Sequence, residues 1–106
     1  MKISSWNVNS VRARIENIKE YLNKFSPNIL LMQEIKTEEK NFPFNEFEDL
    51  GYHSYVFGQK SYNGVAIISK KKLENVSTDI IKDKLKQART ISAEFEFKKR
   101  KILVIN

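Results

Sequence analysis

The residues with the clearest chemical potential stand directly after an apolar run in the first third of the chain. Ile29 to Met32 are followed at once by Gln33 and Glu34. A short uninterrupted apolar run is typical of a strand buried on both faces, and Pro27 keeps a helix from running into it. Glu34 is therefore predicted to end a core strand, where a carboxylate needs water, a paired charge or a cation. Taken alone, the segment also fits a glutamate that simply faces solvent.

The opening of the chain supplies a second polar strand end. Lys2 to Asn9 is predicted to be a strand on which Asn7 and Asn9 share one face, because strand side chains alternate with a period of two. Apolar residues then recur at helical spacing until Ser26-Pro27, at Val11, Ile15, Ile18, Leu22 and Phe25. A strand, helix, strand unit makes its two strands parallel with a right-handed crossover, so both polar ends are expected at one sheet edge.

Convergence of Asn7, Asn9 and Glu34 at that edge would favour a hard cation. Amide and carboxylate oxygens are the ligands that magnesium and manganese prefer. The chain has no cysteine and a single histidine, His53, which lies in a different segment. This composition argues against zinc, and His53 is predicted to have no catalytic part.

Three spaced segments resemble the first three motifs of the exonuclease III and AP endonuclease family. That family belongs to the endonuclease/exonuclease/phosphatase superfamily, which has the DNase I-like fold. The segments are Ile3 to Ala13, Leu30 to Lys36 and Tyr62 to Ser69, and the resemblance extends over the whole chain, including Gly51-Tyr52, Gly58-Gln59-Lys60 and Arg89. One departure is Ser10-Val11, where the family pattern usually has glycine and leucine.

The resemblance implies roles for individual residues. Glu34 would be a ligand of the catalytic Mg²⁺, or of Mn²⁺, and Asn7 would sit beside it through the metal or its water. The residues implied to bind the DNA substrate or to orient the metal site are Asn9, Arg12, Lys36, Lys60, Tyr62, Asn63 and Arg89. Arg12 and Lys36 also fit solvated charges at the starts of loops, and Tyr62 also fits packing within a hairpin.

The pattern of elements predicts an α+β fold with about seven strands, one main helix and one short helix. By resemblance this is the N-terminal half of a DNase I-like four-layer α/β sandwich, and residues 1–106 are expected to be an incomplete domain. Beyond the first unit, the predicted elements are a short helix from Phe42-Pro43-Phe44 to Gly51 and strands at Tyr52 to Phe57, Val65 to Ser69, Glu74 to Ile80, Arg89 to Phe97 and Ile102 to Ile105.

The family's later motifs are missing from this chain. In the family's reaction, magnesium polarises the phosphate, an aspartate activates or orients water, and a histidine stabilises the oxyanion. Only the metal-side half is therefore expected here, with no complete catalytic set. The isolated chain is expected to be inactive and to expose the inner face of its sheet, which predicts either poor solubility or a need for a complementary C-terminal chain.

Composition bounds the partners. The chain is 41% hydrophobic and 30% charged, as globular domains are, and its net charge is +6. Residues 1–81 carry eleven basic and ten acidic side chains, whereas residues 82–106 carry eight and three. This surplus suits nucleic acid, although Lys98 to Lys101 also fits a solvated hairpin turn. The absence of a secretory signal or transmembrane run favours a cytoplasmic protein with no membrane partner.

Two functions follow from the sequence. The first is a DNA repair nuclease of the exonuclease III type, which hydrolyses phosphodiester bonds with magnesium at abasic sites and 3′ ends of duplex DNA. The alternative is a catalytically inactive, truncated remnant that binds nucleic acid weakly. A remoter possibility is a phospholipid or inositol phosphate substrate, against which the match at Asn9 to Ala13 argues.

Overall fold

Two β-sheets and two α-helices make up the computed structural model, which describes residues 1–106. The first sheet has the order β1-β2-β4-β3 and consists of β1 (Ile3–Asn7), β2 (Ile29–Gln33), β3 (His53–Phe57) and β4 (Val65–Ser69). The second has the order β5-β6-β7 and consists of β5 (Glu74–Ser77), β6 (Ser92–Phe97) and β7 (Arg100–Ile105). The helices are α1 (Ile15–Phe25) and the short α2 (Phe44–Glu48). The predicted α+β architecture with seven strands is confirmed.

Strand directions place the polar strand ends together. β1 and β2 are parallel, with Asn7 opposite Gln33, as the strand, helix, strand unit predicts. β4 runs antiparallel to both β2 and β3, and Val65 lies opposite Gln33 at its beginning. The ends of β1 and β2 and the loop that leads into β4 therefore meet at one edge of the sheet.

The four-stranded sheet is covered on both faces. Its outer face packs against α1 and α2, with Ile18, Leu22 and Phe47 buried against Leu30 and Ile68. Its inner face packs against the second sheet through Ile29, Val65, Ile67, Ile91, Ala93, Phe95 and Val104. Burying each large side chain of this kind contributes about 1.5–3 kcal/mol. β2 is thus buried on both faces, as its uninterrupted apolar run predicts.

The start of α1 differs from the predicted stripe. The helix begins at Ile15 and not near Val11, because the amides of Ser10 and Val11 donate to the carbonyls of Glu34 and Ile35 at 2.8 and 3.0 Å. Val11 is still fully buried. Phe25, predicted to lie on the buried stripe, is 46% exposed and contacts the Tyr21 ring.

Two strands are shorter than predicted. β5 ends at Ser77 instead of Ile80, and its register with β6 is irregular. β6 begins at Ser92 instead of Arg89. Lys98 and Lys99 have φ values of 51° and 65° in the turn between β6 and β7. The hairpin-turn interpretation therefore holds for Lys98 and Lys99 only, since β7 begins at Arg100 and not at Ile102 as predicted.

The edge strands expose apolar side chains. Ile3 on β1 is 46% exposed, and Leu103 and Ile105 on β7 are each 51% exposed. Ile3 pairs with Ile29, whose side chain lies in the core between the sheets, so part of the inner face is uncovered at β1. No helix is long and apolar enough to cross a membrane.

Asn106 joins the two sheets and provides a test of the fold. Its Nδ2 donates to the buried carbonyls of Met32 and Ala66, both at 2.9 Å, and its Oδ1 accepts from Gln33 Nε2 at 2.7 Å. We expect Asn106→Ala to lower the free energy of unfolding, measured by urea denaturation, by about 2 kcal/mol, because three hydrogen bonds are lost. Asn23→Ala is the control, since this exposed asparagine of α1 has a helical backbone and makes no side-chain hydrogen bond. An equal loss in both variants would contradict this role of Asn106.

Candidate metal and phosphate site

Glu34 reaches Asn7 through a turn that ends β2. If the strand continued, residue 34 would point to the opposite face from Gln33 and Asn7. Glu34 instead takes a left-handed conformation with a φ of 53°. Asn7 Nδ2 donates to Glu34 Oε2 at 2.6 Å. The two residues predicted to bind metal therefore lie in direct contact.

Both the nitrogen and the oxygen of the Asn7 side-chain amide make hydrogen bonds. While its nitrogen donates to Glu34, its Oδ1 accepts the backbone N–H of Asn9 at 3.2 Å. In this arrangement Asn7 orients the carboxylate. It would offer an oxygen to a cation at Glu34 only if the amide turned over and released Asn9.

Lys36 joins the same cluster. Its Nζ donates to Asn9 Oδ1 at 2.5 Å and lies 3.8 Å from Glu34 Oε1. β1 ends at Asn7, and Asn9 has a φ of 46°, so the prediction that Asn7 and Asn9 share a strand face is wrong. The turn, and not strand alternation, brings Asn9 to the site. Lys36 is held where it can meet an anion beside the carboxylate.

Left-handed residues are concentrated at this edge. Besides Asn9, Glu34 and Lys36, Ser10 has a φ of 87° and Asn63 a φ of 53°. Such a conformation costs most residues other than glycine and asparagine about 1–2 kcal/mol, and strain of this kind clusters at functional sites. Ser10 takes it where the family pattern has glycine. Tertiary hydrogen bonds hold the turns, including Lys36 N–H to the Asn63 carbonyl at 3.0 Å.

A polar cleft of about 210 Å³ adjoins Glu34. It is lined by Asn7, Gln33, Glu34, Asn63, Gly64, Val65, Ala88 and Arg89. The exposed guanidinium of Arg89 donates to Gln87 Oε1 at 3.4 Å, and this long bond leaves its other N–H groups for an anion. The cleft is thus lined by both a carboxylate and a guanidinium.

Gln59 and Gln33 have structural roles that the sequence did not predict. Gln59 Oε1 accepts from the Ala88 amide at 2.9 Å and from Asn63 Nδ2 at 3.4 Å, which ties the loop before β4 to the segment before β6. Gln33 contacts Ser5 Oγ and Asn106. Gln33 lies opposite Asn7 in the parallel register. Two strands that end together in this way would have predicted that Gln33 shares the cleft face with Asn7.

Five predicted substrate residues lie outside the lining of the cleft: Asn9 and Lys36, which belong to the Glu34 cluster, and Arg12, Lys60 and Tyr62. Arg12, Lys60 and Tyr62 are exposed, and Arg12 makes no side-chain hydrogen bond or ion pair. Tyr62 is 69% exposed, which disfavours the hairpin-packing interpretation. His53 pairs with Ser69, at the end of the sheet opposite Glu34. The substrate roles of these side chains remain predictions.

The donor set fits one kind of metal site. No group of three or more histidine, cysteine, aspartate or glutamate side chains is present, and Glu34 is the one carboxylate in the cleft. Magnesium is often held by one or two carboxylates, with waters and substrate phosphates completing the shell. Glu34 beside a polar cleft matches that pattern, whereas a cage made of protein ligands alone does not form here.

Two stacked sheets with a helical layer outside the first are part of the DNase I-like fold, as predicted. The chain belongs to the Endonuclease/Exonuclease/phosphatase family, whose sequence model matches residues 4–103. The family predicted from the three motifs is confirmed.

Particular relatives narrow the comparison. Exodeoxyribonuclease III of Haemophilus influenzae is 35% identical over 107 residues, which cover 100% of this chain and 40% of the relative. The structure of an AP endonuclease from Archaeoglobus fulgidus matches with a TM-score of 0.84 and 36% identity, over 97% of this chain and 39% of that one. The structure of the 3′ phosphatase NExo from Neisseria, described bound to a product DNA hairpin, matches with a TM-score of 0.83 and 34% identity. The match covers 97% of this chain and 40% of that one. The chain therefore spans about 40% of the length of these relatives.

Proposed function

We propose that this chain supplies the metal-binding side of a DNA repair nuclease of the exonuclease III type. The proposed reaction is magnesium- or manganese-dependent hydrolysis of phosphodiester bonds at abasic sites and 3′ ends of duplex DNA. The observation that carries the proposal is the convergence of Glu34, Asn7 and Lys36 beside a polar cleft, in a chain of this family.

The side chains at the site are proposed to bind either the metal or the phosphate. Glu34 would hold the cation, with Asn7 orienting its carboxylate, and the bound metal would neutralise charge that develops on the phosphate. Lys36, which lies beside Glu34, and Arg89, which lines the cleft, would pair with phosphate oxygens. The remaining predicted contacts with substrate are Asn9, Arg12, Lys60, Tyr62 and Asn63.

The group that activates water is proposed to come from outside residues 1–106. No second carboxylate and no histidine lines the cleft, so nothing beside Glu34 is placed to take a proton from water. We propose that a complementary C-terminal segment or chain provides that group. The partly uncovered inner face at Ile3 supports the existence of such a segment.

A binding function without catalysis is the second candidate. It is favoured by the single carboxylate in the cleft and by the net charge of +5 within residues 82–106, where eight basic side chains face three acidic ones. Binding of this kind would depend on phosphate charge and not on magnesium. The two candidates therefore differ in what magnesium and Glu34 do.

Replacing the matching part of the Haemophilus influenzae relative by residues 1–106 would test the proposal. We expect the chimera to nick a duplex containing one abasic site with Mg²⁺ and not with EDTA. Glu34→Gln in the chimera should lower the rate at least about a hundredfold, since losing a few kcal/mol of charge stabilisation costs tenfold per 1.4 kcal/mol. The isolated chain should not nick.

The other outcomes separate the candidates. A chimera that melts cooperatively and binds the duplex, but does not nick it in magnesium, would contradict the proposal and support binding without catalysis. Nicking by the isolated chain would contradict the assignment of water activation to a partner.

A further inference from the structure

A basic segment with an apolar tip lies between β5 and β6. We name residues 82–89 the lysine loop. It carries Lys82, Lys84, Lys86 and Arg89 against one acidic residue, Asp83, for a net charge of +3. Leu85 stands among the lysines and is 76% exposed, more than any other large apolar side chain of the protein.

The loop is held in a defined turn. Asp83 Oδ1 accepts the amide of Leu85 at 2.9 Å, and the Asp83 carbonyl accepts the amide of Lys86 at 2.9 Å. Lys86 has a φ of 54°. Asp83 is thus engaged with the turn, and Leu85 is held outward with a lysine on each side.

The base of the loop is continuous with the Glu34 cleft. Arg89 lines that cleft and also a second cavity of about 300 Å³, whose lining includes Lys82, Lys84 and Leu85. The Ala88 carbonyl accepts the amide of Gly64 at 2.8 Å. A polyanion bound along the cleft past Arg89 would therefore reach the loop.

We propose that the lysine loop is a second contact with duplex DNA. Lys82, Lys84 and Lys86 pair with backbone phosphates, and Leu85 packs into the minor groove beside the Glu34 cleft. Phosphate contacts supply affinity and its salt dependence, and apolar side chains are a general means of wedging into a minor groove. The inference rests on the proposed function and adds contacts that the predicted site residues do not include.

Anisotropy titrations of the 106-residue chain with a labelled duplex, over a range of salt concentrations and with EDTA, test the lysines. The triple variant Lys82→Ala, Lys84→Ala, Lys86→Ala should weaken binding about tenfold or more, and the slope of log affinity against log salt should fall by about 2–3. The matched control Lys98→Ala, Lys99→Ala, Lys101→Ala removes the same charge from the turn between β6 and β7. It should weaken binding by less than about threefold, since charges without phosphate contact act only through the general field.

Leu85 has a separate signature. Leu85→Ser should weaken binding about tenfold, because burial of a leucine side chain is worth about 1.5–3 kcal/mol, and the salt slope should not change. Val76→Ser, at an exposed position of β5, is the control and should bind as the unchanged protein does. Equal melting temperatures would exclude unfolding as the cause.

Each contrary result has a defined meaning. Equal weakening by the two triple variants would show that net charge alone matters, and would overturn the inference. Loss of self-association instead of DNA affinity in Leu85→Ser would assign the loop to a protein contact, and would also overturn it. If the unchanged chain binds duplex DNA and the loop variants bind it with the same affinity, only the inference about the lysine loop fails. If the unchanged chain does not bind duplex at low salt, the proposed function fails with it.

Discussion

Glu34→Gln should abolish the stabilisation of the folded chain by magnesium. Glutamine keeps an oxygen that can accept from Asn7 Nδ2, so the contact now at 2.6 Å can persist while the negative charge is removed. With a dissociation constant of about 1 mM, about 10 mM Mg²⁺ would stabilise the unchanged protein by about 1.4 kcal/mol. For a domain of this size, that corresponds to a rise in melting temperature of about 6 °C or more.

Thermal melts in magnesium and in EDTA provide the measurement. Without metal, the melting temperature of the variant should differ little, because the lost ion pair with Lys36 spans 3.8 Å and is partly exposed. Glu38→Gln is the matched control, since it removes the same charge from a carboxylate that pairs with Lys40 outside the cleft. A full magnesium response in Glu34→Gln would mean that Glu34 does not bind the metal.

The strand, helix, strand unit was predictable from local pattern and chain topology. The apolar run before Gln33 indicated a buried strand, and the helical stripe ended where Pro27 forbids a helix. The right-handed crossover rule then left one arrangement, with β1 and β2 parallel and their polar ends at the same edge. This is why the approach of Glu34 to Asn7 could be predicted without coordinates.

The turns at that edge could not be predicted in the same way. Asn9, Ser10, Glu34 and Lys36 are left-handed because hydrogen bonds between distant segments hold them there, and local propensity would favour other conformations. The same bonds delay the start of α1 to Ile15. The contact between Lys36 and Asn9 depends on both turns, so strand alternation misplaced Asn9.

Contacts between distant segments leave no periodic signal. Asn106 accepts a hydrogen bond from Gln33, which lies 73 positions earlier in the chain, and no pattern in either segment predicts this contact. The exposure of Leu85 is likewise a property of the folded turn around Asp83. Charge counting found the basic surplus of residues 82–106 but could not separate the lysine loop from the turn at Lys98 and Lys99.

Gly64→Ala should lower the free energy of unfolding by about 3 kcal/mol. Gly64 has a φ of 87°, and a Cβ there would lie 2.5 Å from Ile35 Cγ1. The left-handed conformation costs alanine about 1–2 kcal/mol, and overpacking a core costs about 1–3 kcal/mol. Ile35 is fully buried, and its amide donates to the Gly64 carbonyl at 3.2 Å. Displacing Ile35 would shift Glu34, its neighbour in the chain, so the magnesium response should shrink as well.

Gly51→Ala separates the two causes. Gly51 has a φ of 84°, but a Cβ there would meet no atom within 4 Å, so only the backbone cost of about 1–2 kcal/mol is expected. Urea denaturation should therefore show the larger loss in Gly64→Ala, and melts should show an unchanged magnesium response in Gly51→Ala. Equal losses of unfolding free energy in the two variants would mean that the Ile35 side chain moves aside at no energetic cost. A destabilised Gly64→Ala with the full magnesium response would mean that the contact supports the fold without positioning Glu34.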